Sequence, residues 1–577
     1  MRKADPPGRK VLWRAVGGQR RDVVVGAVLG MGHQTGEALV PVLIGLAIDR
    51  GVVDGDVPGL LLWLGVLAAV YVGLSVSFRF SAKAGERAAV TAAHRLRTEL
   101  VARVLAPEGG AEEGRLPGEL TNIATEDAKR VGAVAMALIV AFAATAGLVV
   151  GAVALLRVSL ALGLLVLLGT PLLLGLGHLL SKPLERRSET EQERAAQASG
   201  VAADLVAGLR VLKGIGAERA AVARYRRVNQ DSLASTLRAA RAEAWQHGVV
   251  TLLTGALIAL VALVGGHLAA RGDIGLGELV SSVGLALFLV GPLGEFAWIN
   301  AELAQGRASA TRIAEVLDAP GDVPGTPSAD TLPPDALTPD AVEGRLTLRS
   351  VTCGTLRGLD LDITPGETVG IAVTDPADAS ALLRVLGRRA DPDEGAVELD
   401  GTALTALDLT GLRAAILVAE HDADLFEGTV LDNVTAALPA TPPPLPAWVT
   451  AAMAASATDE VARALPHGVD TAVTARGRSL SGGQRQRVAL ARALAADAPV
   501  LVVHEPATAV DAVTETRIAA GVRDVRGGRT TVLVTNSPAL LAVTDRAVLL
   551  HDGRITAAGD HERLVHTCAD YRTAVLT

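Results

Sequence analysis

The chain predicts an all-α transmembrane domain of six helices followed by a soluble α/β domain. Three observations carry this: six apolar runs of roughly 20 residues before about residue 300, a stretch rich in Pro and Asp after them, and then strand-like runs alternating with helical ones. Composition agrees. A chain of 577 residues exceeds one hydrophobic core, and its residues are 50% hydrophobic but only 20% charged, which points to a membrane. The net charge of −8 argues against a nucleic-acid partner, which a basic surface would hold. Cys353 and Cys568 lie far apart and match no metal or redox spacing, so both are expected as free thiols.

Residues 1–22, MRKADPPGRKVLWRAVGGQRRD, are basic and precede a long apolar run with no small-residue cleavage pattern, so they are expected as a cytoplasmic N-terminus rather than a removable signal. The transmembrane domain is expected over 23–317, with helices at about 23–46, 58–79, 132–154, 160–181, 248–270 and 276–298. Short joints such as DRGVVDGDVP and ARGDIGLGE alternate with long charged segments near 80–131 and 182–247. Those long segments carry basic residues including Arg79, Lys83, Arg87, Arg95, Arg97 and Arg103, which places them on the cytoplasmic side. Both termini and the soluble domain then face the cytoplasm, in a multi-pass protein of the plasma (bacterial inner) membrane. The long segments are helical in pattern and too charged for lipid, so they are expected to project from the membrane.

In the first span GHQTGEALVP places His33, Gln34 and Glu37 in hydrocarbon. An ionisable residue there costs about 2.5–3.5 kcal/mol at the membrane centre and normally faces a cavity or a partner. His33 and Glu37 are four apart, share a helix face, and are candidates for cavity lining; a packing pair near the headgroups is the alternative. Glu295 and Trp298 are weaker candidates of the same kind.

Residues 318–343, DAPGDVPGTPSADTLPPDALTPDAVE, hold no basic residue and predict an extended linker. Over 344–577 ETVGIAV is followed by ASALLRVLG, APVLVVHEP by TETRIAAGVRDV, and RTTVLVTN by PALLAVT, which implies a parallel sheet with helices on both faces. A second Pro cluster, Pro439 to Trp448, is expected as a loop.

LSGGQRQR, then ALARAL and the strand PVLVVHEPATAVD, together with LRAAILVAEHDADLFEGTVLDNV and LKGIGAE, resemble an ABC transporter of the type IV exporter class, a half-transporter with its membrane domain fused to a P-loop NTPase-like ABC cassette. The signature loop also has its own logic. Ser481, Gly482 and Gly483 open a helix whose unpaired N–H groups and positive dipole end suit an anion, though an ordinary Ser cap would look the same.

The resemblance also exposes a contrast. The family's phosphate loop needs glycines, a Lys and a Ser/Thr, so that N–H groups converge, phosphate charge is neutralised and Mg²⁺ is held. Its glycine positions here are Val373, Pro376 and Asp378; its Lys position is Ala379, its last Thr is Ala381, and Ser380 alone matches. Pro376 has no N–H to give, and Asp378 is expected to aim a carboxylate at the phosphates, a repulsion of about 4 kcal/mol at 4 Å and an effective dielectric near 20. The position of the Mg²⁺-holding Asp is His504, that of the Q-loop Gln is His421, and that of the switch His is Asn536, while Thr355 stands nearest where an adenine-stacking aromatic belongs. Glu505 matches the catalytic base and is expected to be vestigial. His421 and His504 lack a third ligand, so no metal site of its own is expected.

In this family two cassettes face head to tail, each ATP lying between one phosphate loop and the other's signature loop. The resemblance therefore implies that Ser481, Gly482, Gly483, Gln484 and the D-loop Asp511 serve ATP and Mg²⁺ at a partner's site, and that the partner is a second half-transporter with intact Walker A, Walker B and switch His. ATPase activity is expected from the pair and not from the chain alone. The stretches 114–131 and 207–218 are expected to touch cassettes. Beyond membrane lipid the cargo stays open among small molecules, lipids and peptides. A non-transporting membrane regulator and a homodimeric exporter are the alternatives.

Overall fold

The computed structural model describes residues 7–323, 341–421, 424–438 and 445–576; the expected linker thus lies mostly outside the described residues. The chain forms two units, one of residues 1–103 and 114–318, the other of 104–113 and 319–577.

The first unit is wholly helical. Its elements are α1 (Pro7–Gly17), α2 (Arg20–Ile48), α3 (Val57–Val104), α4 (Pro117–Asn122), α5 (Ala128–Val158), α6 (Leu160–Ala207), α7 (Leu209–Gly214), α8 (Glu218–Ala270) and α9 (Leu276–Leu317). A helix covers each expected span. Among the described residues four are long and apolar enough to cross a membrane: Val57–Val104, Pro117–Val158, Glu218–Ala270 and Leu276–Leu317. The polar run His33–Glu37 lowers the hydropathy of α2, and α6 is apolar over Leu160–Leu173.

At 1.5 Å per residue, the 48-residue α3 is about 72 Å long, well beyond a hydrocarbon core of about 30 Å. Its charged second half simply continues the apolar first half as one rod. Small residues let these helices touch. A Cβ on Gly132 would lie 2.4 Å from the Ala89 carbonyl oxygen, and one on Gly26 would lie 2.6 Å from Ile139 Cδ1. Ser81 adds a hydrogen bond to the Gly26 carbonyl at 2.8 Å. Towards one end of α5 and α9 Asp127, 1% exposed, accepts from Arg312 Nε at 2.8 Å and from Ser309 Oγ at 2.9 Å.

The second unit begins with β1 (Leu346–Cys353), β2 (Leu356–Ile363), β3 (Thr368–Val373), α10 (Pro376–Leu386), β4 (Glu394–Leu399), β5 (Thr402–Ala403), α11 (Leu409–Ala415) and β6 (Ile416–Ala419). There follow β7 (Gly428–Thr429), α12 (Val430–Val434), α13 (Ala447–Ala455), α14 (Thr458–Ala464), β8 (Ala472–Val473), α15 (Gly482–Ala495), β9 (Val500–His504) and α16 (Ala512–Val525). Last come β10 (Thr530–Val534), α17 (Pro538–Leu541), β11 (Arg546–His551), β12 (Arg554–Gly559), α18 (His561–Thr567) and α19 (Ala569–Leu576).

The main sheet runs β12-β11-β3-β10-β9-β6, parallel except for β12. The three expected strands are its neighbouring members β3, β10 and β9, and β10 is fully buried, as a strand covered on both faces must be. A separate antiparallel sheet, β2-β1-β4-β5, was not anticipated: its strands alternate buried and exposed residues and share one core with β3 and α10. Most of the second Pro cluster lies outside the described residues, but α13 begins at Ala447 within it. Residues 104–113 pack in this unit, where the Asp322 N–H donates to the Glu108 carbonyl at 2.9 Å. This segment lies just upstream of the stretch 114–131 expected to make that contact. The second stretch, 207–218, holds the short helix α7 between α6 and α8.

Candidate functional site at the strand ends of the cassette

Strand β3 is buried along its whole length and delivers the chain to Thr374 and Asp375. There the sequence dictates a helix start. The Asp375 carboxylate accepts from the Ala377 N–H at 2.8 Å, and Pro376 occupies the first helical position, where its missing N–H costs nothing. Helix α10 therefore begins at Pro376, and Ala379 is already inside it, 2% exposed in the hydrophobic core. Ser380 returns its hydroxyl to the Pro376 carbonyl at 3.0 Å.

Asp378 departs from expectation. Instead of facing outward it is 2% exposed, and its Oδ2 accepts from the Gly553 N–H at 2.9 Å. Gly553, at φ +73° in the β11–β12 turn, is tucked so closely that a Cβ there would lie 2.2 Å from the Thr355 carbonyl oxygen. The carboxylate is a core hydrogen-bond acceptor, turned inward from the first turn of α10 towards the β11–β12 turn.

Asn536, at the end of β10, is bound to the end of β3. Its Oδ1 accepts from the Val373 N–H and its Nδ2 donates to the Val373 carbonyl, both at 2.9 Å. The Asn536 N–H donates to Glu505 Oε1 at 3.1 Å, and the Thr535 hydroxyl donates to Oε2 at 2.9 Å. Both oxygens of Glu505 are thus engaged in holding β9 to β10, with Glu505 itself at φ +44°. A non-glycine residue in the left-handed region is held there by its surroundings.

His421 and His504 meet edge to face, with ring centroids 5.1 Å apart. They line a cavity of about 370 Å³ with Arg389, Glu420, Gln486 and Arg492. Arg389 is paired with Glu420 at 2.5 Å, and Arg492 stacks over Phe426 at 5.4 Å while burial pulls its pKa down. Among the described residues no three His, Cys, Asp or Glu side chains converge as metal ligands.

The signature segment has different geometry. Ser481 caps α15, accepting from the Gln484 N–H at 3.3 Å, while Gln484 Oε1 accepts from the Ser481 N–H at 2.8 Å. Gly482 and Gly483 follow in the first turn, and a Cβ on Gly483 would lie 2.4 Å from the Ala509 carbonyl oxygen of the D-loop. That contact was not foreseen, nor was Gln486, whose Nε2 donates to Thr508 Oγ1 at 2.7 Å and whose Oε1 accepts from the Ala509 N–H at 2.8 Å. Asp511 caps α16, accepting from the N–H groups of Val513 and Thr514 and the Thr514 hydroxyl, which together depress its pKa. Ser481 to Gln484, Gln486 and Asp511 thus lie along one edge, with Ser481, Gly482 and Asp511 exposed. Val373, Asn536 and Glu505 form another locus, at the ends of β3, β9 and β10.

In the helical unit His33 Nδ1 lies 2.9 Å from the Leu74 carbonyl, and its Nε2 lies 3.6 Å from Glu37 Oε2. The His33 ring also leans on Phe78, centroids 5.0 Å apart. The two residues do share a face of α2.

Comparison with known proteins follows the same division. A model of the ABC transporter transmembrane region matches residues 23–293, and an ABC transporter cassette model matches residues 356–508. A multidrug efflux ATP-binding/permease protein of Mycobacterium bovis is 30% identical across 97% of this chain, which spans 47% of that relative. An ATP-dependent lipid A-core flippase of Thiobacillus denitrificans is 29% identical over 67% of this chain and 66% of its own length. This chain therefore spans about half the length of the mycobacterial relative. The solved structure of a bacterial Atm1-family ABC exporter with ATP bound has the same fold, with a TM-score of 0.75 at 23% identity, covering 98% of this chain and 99% of that one. With both of its units matched in the order in which they occur, the chain belongs to the ABC transporters, as a membrane domain fused to an ABC cassette.

Proposed function

We propose that this chain is one subunit of a heterodimeric ABC exporter of the bacterial inner membrane, completing in trans the ATP site of a partner that carries intact motifs. The observation carrying this reading is the exit of β3, where a capped helix starts at Pro376 and its fourth residue, Ala379, is buried core. A nucleotide's phosphates would meet there an Ala377 N–H already committed to Asp375, Ala379 in place of a Lys and His504 in place of a Mg²⁺-holding carboxylate. The edge from Ser481 to Asp511 keeps glycines at a helix N-terminus, and this is the edge that such a partner's nucleotide would meet. ATP with Mg²⁺ is then bound at the partner's site, and six membrane-crossing helices per subunit enclose the cargo path. The relatives' names, multidrug efflux and lipid A-core flippase, favour a lipid-like or drug-like cargo.

The test is ATPase activity of the purified chain alone and with its partner half-transporter. The pair turns over, the isolated chain does not, and Ser481→Arg in this chain silences the pair. Turnover by the isolated chain equal to that of the pair, or a fully active Ser481→Arg pair, defeats the reading.

A further inference from the structure

Helices α2 and α9 both bring carboxylates into the part of the helical unit read as membrane-embedded. Glu37, on α2, is about half exposed beside His33. Glu295, on α9, has its Oε2 buried without a hydrogen-bond partner, and α9 runs alongside α2: the Ser281 hydroxyl donates to the Pro41 carbonyl at 3.0 Å, and a Cβ on Gly284 would lie 2.8 Å from Pro41 Cβ. A second unpaired acceptor lies on the same stretch of α2. Gln34 is 8% exposed, and its Oε1 has no partner. It points into the seam where α2 meets α5 and α9, 3.1 Å from where a Cβ of Gly147 would stand and beside Phe288.

The proton inventory of this group is unequal. His33 commits Nδ1–H to the Leu74 carbonyl, so its Nε2 attracts Glu37 only when the ring is protonated. Even then one imidazolium faces two carboxylates, and one negative charge remains over. In hydrocarbon an unbalanced carboxylate is costly and is normally met by a cation or a proton, and Gln34 presents a further acceptor without a donor. Among His33, Gln34, Glu37 and Glu295 acceptors outnumber donors. An anion would meet repulsion here, whereas a positively charged amphiphile would supply the missing charge and could lay its apolar body against Phe78, which packs on the His33 ring.

We propose that His33, Glu37 and Glu295 form an intramembrane binding site for a lipophilic organic cation, with Glu295 as its principal counter-charge. This rests on the exporter reading only for its purpose, transport; the binding itself needs neither ATP nor the partner.

The probe is tetraphenylphosphonium, with tetraphenylborate as the anion of matching shape, and the measurement is equilibrium binding to the full-length chain in zwitterionic-lipid nanodiscs without nucleotide. Empty nanodiscs are subtracted to remove partition into lipid. Saturable binding of the cation and not of the anion is expected, weakened at least tenfold by Glu295→Gln and by Glu37→Gln, while Glu295→Asp retains more of it than Glu295→Gln. The variants are compared at equal thermal midpoint, and Glu37→Gln, altering a half-exposed residue, carries the test if Glu295→Gln fails to fold. Equal cation affinity in wild type and the folded variants, or saturable binding of the borate instead, overturns the proposal. Because no ATPase is read, a failure here leaves the heterodimer reading standing, and failure of that reading leaves this site intact.

Discussion

The side-chain amide of Asn536 grips the backbone of Val373 from both sides, accepting from its N–H and donating to its carbonyl at 2.9 Å each. The position expected from the resemblance for a phosphate loop's first glycine is thereby an internal joint between β3 and β10. Asn536→Ala removes two hydrogen bonds, each worth about 1 kcal/mol, and leaves two backbone groups to find water. The expected result is a thermal midpoint lowered by several degrees, read by calorimetry of the cassette signal, with no ATPase gained by the isolated chain.

Introducing the phosphate-loop residues one at a time should not create nucleotide binding at the exit of β3. Ala379→Lys inserts a cation at a core position 2% exposed, packed with Leu382 and Leu383, and is expected to abolish soluble expression rather than bind ATP. Asp378→Gly strands the Gly553 N–H and costs about 1–3 kcal/mol. Fluorescent ATP-analogue titration alongside thermal melts checks both, and tight binding by either variant would contradict the buried geometry described above.

Gln486 joins the signature helix to the D-loop through Thr508 and Ala509. Gln486→Ala should leave the fold intact but free the Ala509 amide, seen as faster hydrogen exchange at that position. In the proposed pair, kcat should fall about tenfold with a smaller change in KM for ATP, as for loss of positioning rather than of binding. An unchanged exchange rate would show the clamp to be redundant with the Gly483 contact.

Burial alone would raise the pKa of Asp127, but hydrogen bonds from Arg312 and Ser309 and the charge of Arg312 outweigh it and hold the carboxyl below its ordinary value. A depressed carboxylate adds stability that is complete above the ordinary Asp range and is lost as pH falls through the lower, folded-state pKa. The helical unit should therefore keep its midpoint from neutral pH down to about pH 4 with respect to this group and lose it below. Arg312→Ala, leaving a buried carboxylate, should cost about 2–3 kcal/mol, discounted from the fully buried case because Arg312 is nearly half exposed, and should reverse that acid dependence. Thermal melts of the full chain across pH 3–7 are the check.

His561 Nδ1 lies 2.9 Å from the Tyr571 hydroxyl, and burial lowers the pKa of His561 while raising that of Tyr571. The folded state then binds a proton less readily than the unfolded one. Stability from this group is full above the ordinary His value near 6.5 and declines as pH drops through it, levelling once the folded pKa is passed. His561→Phe should flatten the cassette's melting profile between pH 7 and 5. A slope unchanged by that substitution would assign the dependence elsewhere.

Strands β3, β9 and β10 were legible because a strand buried on both faces must be a continuous apolar run, and VGIAV, VLVV and TTVLV are such runs. The antiparallel sheet was not, since its short alternating strands are specified by partners far along the chain, such as Leu346 opposite Leu399. At the candidate site, Asp375-Pro376 was a readable helix-start signal that alignment to a glycine loop obscured. The inward turn of Asp378 could not be read, because its partner Gly553 is 175 residues away. Ser481 as a cap followed from local chemistry. Gln486 did not, since a Gln on a helix surface gives no sign of the loop it holds.

Helix α8 runs for 53 residues, and no Pro or other break interrupts it. A continuous rod has no interior joint to absorb a tilt, so a deflection applied at one tip reappears at the other, inverted and scaled by the ratio of the two arms about the point where neighbours grip it. A push on the end near Glu218 can therefore reach the end near Ala270 through the helix itself.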